Sequence, residues 1–177
     1  MSLKHRIAVA DDLPALSAVM DAAIAELQKG FLDAAQIAAS RALMGLDSQL
    51  VEDGTYFVVE DVETGAIAGC GGWSRRNTLY GGDHSAGRNA ALLDSATEPA
   101  RVRAMYTSPA FARRGVGKLI LALCEAAARA EGFKRLELAG TLSGQPLYEA
   151  CGYSVIERFE DDRGGVPVPL ARMGKGL

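Results

Sequence analysis

The stretch Tyr106-Thr-Ser-Pro-Ala-Phe-Ala-Arg-Arg-Gly-Val-Gly-Lys-Leu119 constrains this chain more than any other. It leaves a strand, crosses a glycine-containing turn and enters an amphipathic helix expected from about Gly115 to Ala130. Val116, Leu119, Ile120, Leu123, Cys124 and Ala127 keep the helical spacing of a buried stripe. The strand before it spans Arg101 to Thr107, with Val102, Ala104 and Tyr106 alternating against Arg101, Arg103 and Met105. The strand after it spans Arg135 to Ala139. A strand–helix–strand unit of this kind closes as a right-handed parallel crossover.

The other elements fit around that unit. His5 to Ala8 reads as a short strand. Asp11 and Asp12 offer caps, and Pro14 suits the first turn of a helix running to about Gln28, with Leu16, Val19, Met20, Ala23 and Leu27 on one face. Gly30 ends that helix, and an alanine-rich helix is expected from about Asp33 to Met44. Tyr56 to Glu60 and Ala66 to Trp73 form a hairpin about Glu63-Thr64-Gly65. Its second strand holds Gly69, Gly71 and Gly72, which imply a bulge, a close approach of other backbone, or crowding against a helix. Arg75 to Pro99 loses regular pattern, with a short helical turn expected at Ala91 to Asp94. A short helix from Gly144 to Cys151 and a hairpin of Tyr153–Glu160 with Val166–Met173 complete the chain. The order β-α-α-β-β-β-α-β-α-β-β predicts an α/β (α+β) fold: one twisted mixed sheet with helices on both faces, in a single domain over residues 1–177.

Composition narrows the chemistry. The formal net charge of −3 implies no basic stripe, so nucleic acid is not the expected partner. No apolar run reaches the roughly 18 residues of a membrane span, the first residues are not a secretion signal, and the expected location is the cytoplasm. Cys70, Cys124 and Cys151 are widely spaced without a CxxC, and only His5 and His84 could supply imidazole, so no metal site is expected.

The turn before the long helix is where chemistry concentrates. The first N–H groups of a helix lack intrahelical acceptors and carry partial positive charge, and a glycine turn lets an anion approach them. Arg113, Arg114 and Lys118 add charge at the same end, a conflict with the helix dipole that a bound anion relieves. A P-loop is excluded because Leu119 follows Lys118. A dinucleotide fingerprint lacks its third glycine at Ile120, although Glu137 lies on the next strand. From these residues alone, an anion-binding turn, a nucleotide site and a helix start that binds nothing all stay open.

Arg114-Gly115-Val116-Gly117 resembles the pyrophosphate turn of the GNAT acyltransferases, the Gcn5-related N-acetyltransferase family, with Ala112 where the family usually has glutamine or arginine. Pro146-Leu-Tyr-Glu-Ala-Cys-Gly-Tyr153 is similar to the family's Phe-Tyr-x-x-x-Gly-Phe/Tyr segment, and Gly165 to Lys175 to its last strand. The resemblance covers nearly the whole chain. It implies that acetyl-CoA or another short acyl-CoA is the co-substrate and that an amine, small molecule or peptide, is the acceptor. It implies backbone pairing of the pantetheine arm with Met105, Tyr106 and Thr107. It places the pyrophosphate on Arg113, Arg114, Gly115, Val116, Gly117 and Lys118, and makes Tyr148 the general acid beside the thioester sulfur. Arg101 stands where some members carry a glutamate base, leaving Glu98, Asp83 and His84 as substitutes. Thr141 or Ser143 takes the place of a cofactor-contacting asparagine. Trp73, Tyr80 and Asp83 are the expected acceptor-lining residues. Family habit implies a homodimer. The alternative is an acyl-CoA-binding sensor on the same fold with little or no turnover.

Overall fold

The computed structural model describes residues 1–177. Seven strands form one mixed sheet: β1 (Leu3–Ile7), β2 (Tyr56–Asp61), β3 (Ile67–Ser74), β4 (Ala100–Thr107), β5 (Arg135–Thr141), β6 (Ser154–Asp161) and β7 (Val168–Gly176), in the order β1-β2-β3-β4-β5-β7-β6. Every neighbouring pair is antiparallel except β4 and β5. That parallel pair is the one that the crossover through α4 (Val116–Ala130) requires.

Helices cover both faces. On one side α4 and α5 (Gln145–Ala150) pack on a core containing Val102, Ile120, Leu136, Leu138 and Met173. On the other, α1 (Leu13–Leu27) and α3 (Ser48–Glu52) close over Leu16, Ile24, Leu50, Tyr56 and Val58, and α2 (Ala34–Ser40) packs with β7 around Leu43, Val168 and Leu170. No helix is long and apolar enough to cross a membrane.

Several expectations need correction. Asp12 does not cap α1; its carboxylate accepts the Val9 N–H at 2.8 Å and pairs with Arg6 at 2.8 Å. The helix expected to Met44 stops at Ser40, and a further short helix, α3, follows it; Asp47 caps α3 by accepting the Gln49 N–H at 3.0 Å. Ala91 to Asp94 is not a helical turn. Leu93 and Asn77 bond back across the loop, to the carbonyls of Arg75 and Ala91, so this segment lies extended against residues 75–78.

The three strand glycines answer to all of the offered causes. A Cβ on Gly69 would meet Val116 Cγ1 on α4 at 2.6 Å, and one on Gly71 would meet Ile120 Cγ2 at 2.8 Å. A Cβ on Gly72 would stand 2.3 Å from the Thr55 carbonyl oxygen, a contact with backbone that cannot yield. A bulge is present as well: between the pairs Cys70↔Tyr106 and Gly72↔Arg103, β4 carries one residue more than β3. It centres on Ala104, held at φ 49° while its carbonyl accepts the Tyr56 hydroxyl at 2.5 Å. The bulge breaks the expected alternation. Val102 joins the α4 core and Tyr106 the α1 core, while Arg103, before the bulge and opposite Val102, is 3% exposed.

Gly72→Ala should therefore destabilise the protein by about 2–3 kcal/mol or more, as overpacking against rigid backbone does. Gly176→Ala, with open space around its Cβ position, should change stability little. Urea melts of both variants give the comparison, and equal midpoints would show the Gly72 contact to be relieved cheaply.

Candidate functional site: a helix terminus and a parted strand pair

The site begins where β4 leaves β5. The two strands pair only at Ala100↔Leu136 and Arg101↔Glu137, then part as the bulge at Ala104 bends β4. Tyr106 and Thr107 keep partners on β3 in Cys70 and Gly69, Met105 lies in the bulge, and all three present an unpaired backbone edge toward β5. Buried or half-buried peptide groups need partners, so this edge is suited to an extended, amide-containing ligand.

Beyond β4 a short 3-10 turn, Pro109–Phe111, leads to the start of α4. Arg113 and Gly115 both have positive φ, 61° and 84°. The first α4 N–H to find a backbone acceptor outside the helix body is that of Leu119, bonded to the Gly115 carbonyl at 3.0 Å. The N–H groups of Arg113 through Lys118 have no acceptor in the chain. Such left-handed positions make a concave run of donors, and the α4 dipole adds to their charge. Arg113 and Lys118 join no ion pair; Arg114 lies over the Phe111 ring, 5.8 Å from its centroid. The donor set fits a diphosphate. Gly117 lets this end of the helix sit against α5, since a Cβ there would stand 2.5 Å from Leu147 Cδ2.

A cleft of about 670 Å³ joins these features, from the Arg113–Lys118 turn past Met105–Thr107 to Tyr148, with Ile24, Leu27 and Phe31 of the α1 side as its apolar wall. A smaller cavity of about 80 Å³ lies in the parting of β4 and β5. The two share Met44, Met105, Tyr106, Thr141 and Tyr148.

Tyr148 stands at that junction. Its ring is seated on glycines: a Cβ on Gly144 would meet Tyr148 Cε2 at 2.9 Å, and one on Gly140 would meet Cδ2 at 3.2 Å. Its hydroxyl has no hydrogen-bond partner in the chain, and burial pushes its pKa up to about 12, so it stays protonated at neutral pH. Tyr106 differs, with its hydroxyl bonded to the Gly45 N–H at 2.9 Å and the Gly45 carbonyl at 3.2 Å. Thr141 Oγ1 lies 3.2 Å from Ser143 Oγ and receives the Gly144 N–H at 3.3 Å.

The expected acceptor residues divide. Tyr80 lines the smaller cavity, its hydroxyl donating to Asp161 at 2.7 Å. Trp73 does not: it is 2% exposed and packs edge-on to Phe133, because the hairpin turns it into the α4 core. Asp83 lines neither cavity; it accepts the Ser48 N–H at 3.1 Å and pairs with Arg88 at 3.0 Å. The substitutes for a base also face elsewhere. Glu98 accepts the Asp94 N–H, His84 Nε2 lies 2.7 Å from the Arg41 carbonyl, and Arg101 lies 3.5 Å from Glu137. No carboxylate or imidazole lines either cavity.

Two further residues line the cavities without a local sequence signal, Arg103 and Gln28. Arg103 alternates against Val102 as expected, but its burial comes from Asp47 and the carbonyls of Thr78 and Gly81, which the loop after β3 brings over it. Gln28, 2% exposed, lines the larger cleft with Oε1 unpartnered, while its Nε2 donates to Ser40 Oγ at 3.0 Å. Nothing in a helix-terminal glutamine marks that.

Comparison with known proteins gives a consistent picture. A family model described as the acetyltransferase (GNAT) family matches residues 17–153. No curated protein matches the chain at a significant level. Among solved structures, a GCN5-related N-acetyltransferase from Rhodopseudomonas palustris aligns with a TM-score of 0.71 at 17% identity, covering 100% of this chain and 97% of its own. The PaiA N-acetyltransferase of Thermoplasma acidophilum, solved with coenzyme A, aligns at 0.64 and 14% identity, covering 100% of both chains. A GNAT superfamily phosphinothricin acetyltransferase from Sinorhizobium meliloti, in complex with AcCoA, aligns at 0.65 and 22% identity, covering 100% of this chain and 89% of its own. At these identities the likeness establishes the fold.

The donor run at the start of α4 should bind inorganic pyrophosphate by itself. Thermal melts are expected to rise with pyrophosphate, and the rise to shrink with salt and in Arg113→Ala/Lys118→Ala. A melt indifferent to pyrophosphate would deny the turn its anion.

Proposed function

This chain belongs to the acetyltransferase (GNAT) family, and from that premise we propose that residues 1–177 act as one catalytic domain moving an acetyl or other short acyl group from acetyl-CoA to an amine. The observation that carries the reading is the meeting of two cavities at Tyr148, one leading from a diphosphate-sized donor turn and the other through the parted strands. The turn Arg113–Lys118 would hold the diphosphate of CoA. The free edge of Met105, Tyr106 and Thr107 would pair with the amides of the pantetheine arm. The acceptor would enter by the smaller cavity and attack directly in a ternary complex. Neighbours of the same fold solved with coenzyme A or AcCoA support the choice of co-substrate.

Acetyl-CoA, when bound, supplies an activated thioester; the chain positions it and manages protons. The C–N bond forms as the C–S bond breaks, and the sulfur leaves with the electron pair. A thiol of pKa near 8.5 leaves more readily if a proton meets it. The Tyr148 hydroxyl, uncommitted within the chain and protonated far above neutrality, would give that proton and recover it from solvent.

The acceptor must reach the site as the neutral amine, and an alkylamine has a pKa near 10. With no carboxylate or imidazole lining either cavity, its proton goes to water before attack or during it. The same observation favours the second reading, an acyl-CoA-binding module without turnover. Saturable CoA binding with no thiol release across a broad amine panel would select it.

Tyr148→Phe is expected to lower kcat about 10- to 100-fold, within the usual range for a proton donor, and to leave CoA affinity nearly unchanged. Unchanged kcat would remove Tyr148 from the acid role. For the wild type, log kcat/KM for an alkylamine should rise with unit slope from about pH 6 to 9, following the neutral amine. A plateau beginning near pH 7 would instead reveal a base supplied by the protein.

A further inference from the structure

The acyl-transfer reading leaves the acceptor open, and the inference drawn here rests on that reading. The smaller cavity runs from Tyr148 under the loop Leu79–Gly81, and its wall is mostly apolar. Arg103 is the one ionised residue in it. Its side chain is 2% exposed, beside Asp47 at 3.1 Å. That carboxylate, also 2% exposed, is shared with Arg88 at 2.7 Å. Two arginines thus divide one buried carboxylate. Asp83, which meets Arg88 from outside, is 54% exposed and is screened by water.

The donors of Arg103 are also incompletely used. A guanidinium has five N–H hydrogens. Nη2 gives one to the Gly81 carbonyl and lies 3.1 Å from Asp47, and Nη1 gives one to the Thr78 carbonyl at 3.4 Å. The Nε–H and the second Nη1 hydrogen have no acceptor in the chain. Burial draws the Arg103 pKa below its ordinary value against the pull of Asp47, in keeping with a charge incompletely compensated where it lies.

We propose that the acceptor is a small amino acid, an amine whose other end is a carboxylate held against Arg103 while the amine meets the thioester beside Tyr148. A carboxylate is the group that would take the spare N–H donors and balance the second arginine. A polyamine would bring a further ammonium to a desolvated arginine with no free carboxylate in reach, which is costly. The short acyl group needs no such charge, so the anion belongs to the acceptor.

The test gives the unaltered protein matched pairs with acetyl-CoA: each standard L-amino acid and the amine left by its decarboxylation. At least one acid should exceed its amine in kcat/KM by about 10-fold or more, mainly through KM. The same acid, and not its amine, should raise the melting temperature of the CoA-saturated protein. In Arg103→Lys part of the acid-to-amine ratio should survive; in Arg103→Met it should fall about 10-fold. Should Arg103→Met not fold, the matched pairs on the unaltered protein decide alone. Equal rates and shifts within every pair, or none for any acid, overturn the inference. So does a preference for succinyl-CoA over acetyl-CoA with the decarboxylated amines, which would place the anion on the acyl side. Failure of the protein to bind CoA at all would instead strike the acyl-transfer reading.

Discussion

The parting of β4 from β5 is the constraint on which the rest of this structure depends. A parallel pair in the middle of a sheet normally continues until one strand ends, because each abandoned peptide group must find another partner. Here the pairing stops after Arg101↔Glu137, while β5 continues along β7 to Thr141 and β4 continues along β3 to Thr107. Each strand keeps one neighbour and loses the other. The cost is contained because the left-handed Ala104 is held in place by the Tyr56 hydroxyl. The gain is an opening in the sheet where two cavities meet.

The position of α4 follows from the same geometry. Its first turn must come close to β3 and β4 if its free N–H groups are to face the end of the opening. Gly69 and Gly71 remove the side chains that would hold Val116 and Ile120 away. Gly117 does the same for α5 through Leu147, and Gly140 and Gly144 for the ring of Tyr148. Glycine is used here less for conformational freedom than for proximity, and each of these close contacts sets one wall of the site.

The charges around the opening are segregated. Cations without carboxylate partners gather at the start of α4, and the junction carries hydroxyl groups only. A single arginine, whose carboxylate partner is shared with a second arginine, lies beyond it. Carboxylates are plentiful nearby, but Asp83, Glu98, Asp161 and Glu137 are all bound to arginines or to backbone N–H groups. A site built this way favours anionic groups at both ends and an uncharged reacting centre between them.

Much of this was legible in the chain itself. The helical stripe of α4, the Gly-Val-Gly turn before it and the strands on either side determined a parallel crossover in a mixed sheet, because these signals are local and repeat with the period of the element that carries them. The Arg113–Lys118 turn stood out as a short local motif and Tyr148 through a segment that resembles the family's, and the structure brings both to one cleft. What only the tertiary structure decided was orientation. A bulge adds one residue and reverses every side chain beyond it, so Tyr106, which alternation sets on the face of Val102, lies on the other one; Arg103 keeps its alternating position and is buried because Asp47 and the Thr78–Gly81 loop cover it. Trp73, an attractive lining residue by type, is core because its strand faces α4. Asp83, Glu98 and His84 belong to a loop without periodicity, and their partners, Ser48 and Arg41 from distant segments and Asp94 from the loop itself, decide where they point. Periodicity tells which residues share a face, but a one-residue change of register, invisible in composition, decides which face it is.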